Sequence, residues 1–184
     1  MVLYEFYMKK ILISLLFAAV AFTANAQDVI NGVRVPSGYQ GHVEYSNLFY
    51  LKGGTGMDIS TTHGFYYTPN MFVGLGIGLH ISPKDTYVPI YAAAKYIFNY
   101  KTKISPTVQL KMGSFFNEGA KPYGDLSFGF RFASDRDFAF SIQACGSFYA
   151  PVDYTDSYWD GDTFVTKTER WNLSSIGLRL GIEW

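Results

Sequence analysis

Apolar residues alternate with small or polar residues along most of the chain, with a period of two. In the C-terminal segment one parity is entirely apolar, comprising Ile176, Leu178, Leu180, Ile182 and Trp184. The opposite parity comprises Ser175, Gly177, Arg179, Gly181 and Glu183. No segment shows a convincing helical stripe. Since successive side chains of a strand point to opposite faces, the pattern predicts β-strands with one apolar face.

Eight such stretches, each of about ten residues, follow one another along the chain. They cover residues 39–49, 56–65, 70–82, 87–98, 104–115, 122–133, 138–149 and 175–184. Short segments rich in turn-forming residues connect them at one end, at 66–69, 99–102 and 134–137. The connections at the other end are 51–55, 82–86, 117–121 and 150–169, the last being the longest. An even number of strands joined in this way predicts an all-β, up-and-down antiparallel barrel.

The residues on the polar face of the strands indicate whether that face lines the interior or meets solvent. A soluble sandwich or barrel buries its apolar face and shows charges to water, whereas a transmembrane barrel turns its apolar face to lipid. Gly74, Gly76 and Gly78 occupy the non-apolar parity of one strand, which suits a crowded lumen better than a solvated surface. Aromatic residues gather near strand ends, as interfacial girdles require. We predict an eight-stranded transmembrane β-barrel, with a soluble exported lipid-binding barrel as the alternative.

The N-terminal segment has the features of a secretory signal. Lys9 and Lys10 precede an apolar run over residues 11–24, which is too short for a membrane-spanning helix of about 20 residues. The run ends in Ala24-Asn25-Ala26, a small-x-small cleavage site. We predict a signal peptide over residues 1–26, with Met8 as an alternative initiator, and one barrel domain over residues 27–184.

Charge and cysteine content narrow the functional classes. The chain has 15 basic and 15 acidic residues, so it lacks the basic footprint of a nucleic-acid-binding protein. Loss of the signal peptide, with Glu5, Lys9 and Lys10, would leave one net negative charge. Cys145 is the only cysteine, so it cannot form an internal disulfide, and its inward parity indicates a packing role. No cofactor is expected.

On these residues, the chain resembles the small outer-membrane β-barrel proteins of the superfamily that includes OmpA-like and OmpX-like barrels. The segment from His63 to Leu79 is similar to a hairpin common in these proteins. Residues 177–184, with sequence GLRLGIEW, resemble the terminal segment read by the barrel-assembly machinery, although that segment usually ends in Phe. The resemblance implies a bacterial outer-membrane location, with membrane lipid and the assembly machinery as partners. We expect a monomer.

Candidate catalytic chemistry is weak. His80 and Ser82 share the inward parity, but residues two apart on a strand are roughly 6.6 Å apart and no acid lies nearby in sequence. His42 and His63 are expected to be polar residues of the lumen. Asp153, Asp156, Asp160 and Asp162 lack the spacing of an EF-hand, which favours a solvated acidic loop. We therefore predict no catalytic, cofactor or metal site, with a lipid-modifying acyl-transfer enzyme as the alternative function.

The long connection is the candidate recognition surface. Residues 150–169 contain Tyr154, Tyr158, Trp159 and Phe164 among acidic residues. This mixture suits contact with a partner better than a barrel wall. The predicted function is an envelope-structural or surface-binding role through such loops, with a ligand that the sequence does not identify. The alternative for this segment is a disordered or strand-extending loop.

The predicted lumen is a packed polar core and not a pore, because eight strands enclose only enough space for side chains. The inward parity carries seven charges, Glu44, Lys95, Lys111, Asp125, Arg131, Arg179 and Glu183. An unpaired charge in so dry a site would cost several kcal/mol, so these charges should be paired. Reflection of residues 104–115 through the connection at 117–121 brings Lys111 beside Asp125. Glu44 and Arg179 lie near the middle of the first and last strands, which closure makes neighbours. We predict ion pairs Lys111–Asp125 and Glu44–Arg179.

Overall fold

The computed structural model describes residues 29–30, 33–83, 85–116, 119–134, 138–160, 163–171 and 174–184. The predicted signal peptide, residues 1–26, lies outside them. No helix in the described ranges is long and apolar enough to cross a membrane.

Twelve strands form in the described residues. Two short strands, β1 (Val29–Ile30) and β2 (Val33–Arg34), pair with each other. The main body consists of β3 (Gly38–Tyr50), β4 (Thr55–Thr68), β5 (Met71–Ile81), β6 (Thr86–Ile97), β7 (Ile104–Phe116), β8 (Ala120–Ala133), β9 (Ala139–Tyr149) and β12 (Ser175–Glu183). Between β9 and β12 lie β10 (Val152–Asp160) and β11 (Thr163–Trp171).

The eight long strands form a closed antiparallel barrel in the order β12-β3-β4-β5-β6-β7-β8-β9. The seam forms because β12 pairs with both β3 and β9, placing Gly181 opposite Glu44 and also opposite Ser141. All eight predicted strands are confirmed, with ends that agree to within three residues. Period-two alternation located the strands well because it persists over nearly the whole length of each one.

The two faces of the wall have opposite chemistry. Leu178 and Leu180 point outward and are 60% and 53% exposed, whereas Arg179 between them is 1% exposed. Every charge assigned to the inward parity is buried, namely Glu44, Lys95, Lys111, Asp125, Arg131, Arg179 and Glu183. An apolar exterior around a polar interior is the inside-out arrangement of a transmembrane barrel, and the predicted fold class is confirmed.

Aromatic side chains fill the lumen near both ends. We call the end that carries β10 and β11 the hairpin end, and the end where β3 starts and β12 stops the terminal end. Tyr50, Tyr87, Tyr91, Phe115, Tyr123 and Tyr149 pack together toward the hairpin end. Tyr66, Phe72 and Ile97 pack toward the terminal end. Glycine makes room for these rings: a Cβ on Gly76 would lie 2.6 Å from the Tyr91 hydroxyl oxygen.

The long connection is a β-hairpin and not an irregular loop. Strands β10 and β11 pair along their whole length, from Val152 opposite Trp171 to Asp160 opposite Thr163. In the described residues they form a separate two-stranded sheet, unpaired with the barrel strands. The connection therefore consists of two paired strands, and its role in recognition stays a prediction. Threonine, valine and aromatic residues on both strands favour this extended conformation.

The sequence predicts short connections at the terminal end and longer ones at the hairpin end. In the structure, this difference in length comes from the β10–β11 hairpin alone. At the terminal end, six residues (98–103) separate β6 from β7, whereas only four (51–54) separate β3 from β4 at the hairpin end. The connection between β9 and β12 is therefore much longer than any other connection between barrel strands.

Leu180 provides a test of the inside-out assignment. We expect Leu180→Arg to reduce the free energy of unfolding in lipid vesicles by about 2–4 kcal/mol, because a charge would enter the hydrocarbon layer. The control Leu180→Ile keeps an apolar side chain and should change little. Urea titration of vesicle-inserted protein measures both. A spin label at position 180 that is more accessible to a water-soluble relaxant than to oxygen would contradict the assignment.

Candidate functional site

The candidate site is the polar lumen, built from the inward parity of the barrel strands. Strand pleating sends alternate side chains of every strand toward the same axis, so charged residues that are far apart in sequence meet there. Among the described residues, the lysines and arginines of the lumen form two clusters with their carboxylate partners, one near the middle of the barrel and one near the terminal end.

In the middle of the lumen, Arg179 binds Asp125 through two parallel hydrogen bonds. Its Nη1 and Nη2 donate to the two carboxylate oxygens, each at 2.7 Å. The Nε of Arg179 donates to Ser46 at 2.9 Å, and Ser147 donates to Asp125 at 2.7 Å. A bidentate pair with such additional partners is the geometry in which a buried ion pair offsets most of its desolvation cost.

Lys111 makes the second central ion pair, with Glu44 from the opposite wall. The Lys111 Nζ lies 2.6 Å from Glu44 Oε2 and also donates to Ser60 Oγ at 3.1 Å. The ammonium is 4.8 Å from the centroid of the Tyr91 ring, close enough for a cation–π interaction. Gln109 donates to the same Glu44 oxygen at 3.3 Å.

The four predicted residues are thus brought together, but the predicted partners are wrong. Lys111 pairs with Glu44 and Arg179 pairs with Asp125, although Lys111 and Asp125 are directly opposite each other in the β7–β8 register. Long basic side chains carry their charge toward the barrel axis, beyond the short carboxylate of a neighbouring strand. Strands β3 and β7 are four places apart in the eight-strand order, so their side chains meet across the lumen.

Glu183 organises the cluster at the terminal end. Lys95 Nζ from β6 and Arg131 Nε from β8 each donate to its carboxylate at 2.6 Å. The Tyr66 hydroxyl donates to it at 3.4 Å, and His42 Nε2 lies 3.8 Å away. The inward parity identified Lys95, Arg131 and Glu183 as lumen charges, but sequence reasoning gave them no partners. Since β6 and β12 are also four places apart, only the closed barrel brings these charges together.

A third polar group lies toward the hairpin end around His80. Its Nδ1 contacts Asp58, and its Nε2 is 2.9 Å from the Tyr50 hydroxyl. Tyr149 donates to Asp58 at 3.4 Å. Asp58 is the acid that sequence reasoning did not find, yet reflection through the short turn at 69–70 places it opposite His80.

The remaining sequence-predicted side chains have mixed outcomes. Ser82 Oγ donates to the Asp85 carbonyl, so it is not arranged as a nucleophile activated by His80. His42 is buried in the lumen as expected. His63 is not: it lies on the outward parity, bonded to Tyr39 and Thr61. Cys145 is free and buried on the inward parity.

The hairpin contains the predicted recognition residues. Tyr154, Tyr158 and Trp159 lie in β10 and Phe164 in β11, but their side chains lie outside the described residues. The same is true of the Asp156 and Asp160 side chains and of all of Asp162. In the part of the chain that the structure describes, no group of three or more His, Cys, Asp or Glu residues could hold a metal.

No protein-family model matches the chain, and no curated protein matches its sequence. Solved structures share its fold, among them the following two. A de novo designed transmembrane β-barrel aligns with a TM-score of 0.50 at 10% identity, covering 86% of this chain and 98% of that one. Neisserial surface protein A aligns with a TM-score of 0.53 at 12% identity, covering 79% of this chain and 94% of that one. At such identities the likeness shows the transmembrane barrel fold alone.

Substitution of Lys111 and Glu44 tests whether the lumen is charge-paired. We expect Lys111→Met and Glu44→Gln each to destabilise the barrel by about 3–5 kcal/mol, because each leaves a buried charge without its partner. The double variant should lose much less than the sum, since no charge is then stranded. Urea unfolding in lipid vesicles measures all three.

The control for this cycle is Lys111→Met combined with Glu183→Gln, which affects two separate clusters. Its losses should be closer to additive. Additive losses for Lys111 and Glu44 would contradict the ion pair.

Proposed function

We propose that the chain is a non-enzymatic outer-membrane β-barrel of a bacterial envelope, with a structural or surface-binding role. The single observation that carries this proposal is the filled lumen. Paired charges occupy its middle and terminal end, and aromatic rings pack toward its hairpin end. A filled interior favours a barrel that anchors its connections in the membrane over a barrel that conducts ions or solutes. The predicted signal peptide and the alternating C-terminal strand support the outer-membrane location.

The hairpin end is proposed to face the outside of the cell and the terminal end the periplasm. Both chain ends of the barrel lie at the terminal end, as expected for a chain delivered from the periplasm. The C-terminal strand is the proposed contact with the barrel-assembly machinery, and membrane lipid surrounds the exterior. The proposed barrel is a monomer. We further propose that the chain is a member of the superfamily that includes OmpA-like and OmpX-like barrels.

The β10–β11 hairpin is proposed to carry the surface contact. Its nine-residue strands form a sheet of their own, with no barrel strand paired to it among the described residues. Hydroxyl pairs join Thr155 to Thr168 and Ser157 to Thr166 across the sheet, and all four residues are exposed. Ordered, exposed backbone with polar and aromatic residues is a suitable surface for recognition.

Proteolysis of intact cells tests both the topology and the role of the hairpin. We expect external protease to cut within residues 150–174 first, because this is the longest connection beyond the wall. Cleavage at 98–103 should require permeabilised cells. Protection of the hairpin together with external cleavage at 98–103 would invert the topology.

The matched variant replaces residues 153–170 with a short Gly-Ser linker and keeps Val152, which packs with the aromatic rings of the hairpin end. It should keep the heat-dependent gel shift of a closed barrel, because the hairpin does not pair with the barrel strands in the described residues. Loss of the gel shift would show that the hairpin is part of the barrel's own stability and would contradict a separate contact role.

A further inference from the structure

The last residue of the chain continues the closing ladder on the lipid-facing wall. Trp184 N donates to the Gly41 carbonyl at 3.0 Å, and Gly41 N donates to the Trp184 carbonyl at 3.1 Å. Gly41 in turn pairs with His63 of β4. Trp184, Gly41 and His63 therefore form one row across three neighbouring strands, with the smallest residue in the middle.

Gly41 allows the Trp184 ring to lie across β3. A Cβ at position 41 would be 2.6 Å from Trp184 Cζ2 and 2.8 Å from Cε2, so the indole would have to move to make room for it. The same Cβ would lie 3.2 Å from His63 Cε1. The indole thus covers the Gly41 backbone and extends toward β4, where its ring is 6.2 Å from the His63 ring at an interplanar angle of 79°.

His63 is held in place to receive this ring. Tyr39 hydroxyl lies 2.8 Å from His63 Nδ1, and Thr61 Oγ1 lies 3.0 Å from Nε2. Both ring nitrogens of His63 therefore have hydrogen-bonding partners within the wall. The two contacts fix the plane of the imidazole, with its edge available to the indole.

We propose that Gly41, His63 and Tyr39 form an intramolecular binding site for the Trp184 indole. Packing of the indole in this site stabilises the closed barrel seam from the lipid side. Glu183, the preceding residue, holds the same strand from inside through Lys95 and Arg131. The last two residues thus attach β12 to four other strands, β3 and β4 outside and β6 and β8 inside. Trp184 gains a specific role in closure beyond its apolar character.

The test compares two outward-facing glycines on the strands that flank β12. Gly41→Ala should speed unfolding from detergent micelles roughly tenfold or more, because the added Cβ would displace the indole from its position over β3. Gly146→Ala is the matched control, since a Cβ there would meet only the Ser175 carbonyl oxygen at 4.0 Å. The heat-dependent gel shift, followed over time in urea, gives the unfolding rate of each refolded protein.

The same pair is then measured in a Trp184→Ala background. If Gly41 is needed only to accommodate the indole, Gly41→Ala should not speed unfolding in the Trp184→Ala background. Should Gly41→Ala fail to fold, the Gly41→Ala/Trp184→Ala double variant must fold as well as Trp184→Ala alone. An equal penalty from Gly41→Ala with and without the indole, no penalty in either background, or failure of the double variant to fold would overturn the proposal.

Discussion

Burial of charge in the lumen is the constraint on which the rest of this structure depends. An isolated charge in a dry interior costs several kcal/mol, so each inward Lys, Arg, Asp or Glu needs a partner within reach. The partners of Lys111 and Lys95 come from the opposite wall, at Glu44 and Glu183. These contacts can form only when the sheet has closed. The same charges are therefore unpaired and destabilising in an open sheet, and paired and stabilising in the closed barrel.

A filled lumen restricts where this protein can act. The wall presents apolar residues to lipid and the interior is occupied by its own side chains, which is why the proposed surface contact is assigned to a connection. Only the β10–β11 hairpin extends well beyond the barrel among the described connections. The Asp58–His80–Tyr50 group lies beneath it as part of the packed core, where its polar atoms satisfy one another.

The sequence predicted local features well and contacts across the lumen poorly. Strand positions and inward parity follow from alternation within each strand, and the Lys111–Asp125 register follows from one connection. The actual partner of Lys111 depends on closure, stagger and side-chain length together, none of which a single hairpin specifies. The position of Asp58 opposite His80 could have been predicted in the same way, by reflecting one strand through the turn that follows it. The Trp184–Gly41 contact could not, because it lies across the seam between the first and last barrel strands, where no turn sets the register.

Conductance in a planar lipid bilayer tests the central claim most directly. Eight strands enclose only enough space for side chains, which here are paired charges and aromatic rings, so we expect the inserted wild-type barrel to show no steady ion current above the bare membrane. Insertion is verified in the same sample by the heat-dependent gel shift. A large, steady conductance from verified, folded barrels would contradict a closed, charge-paired interior.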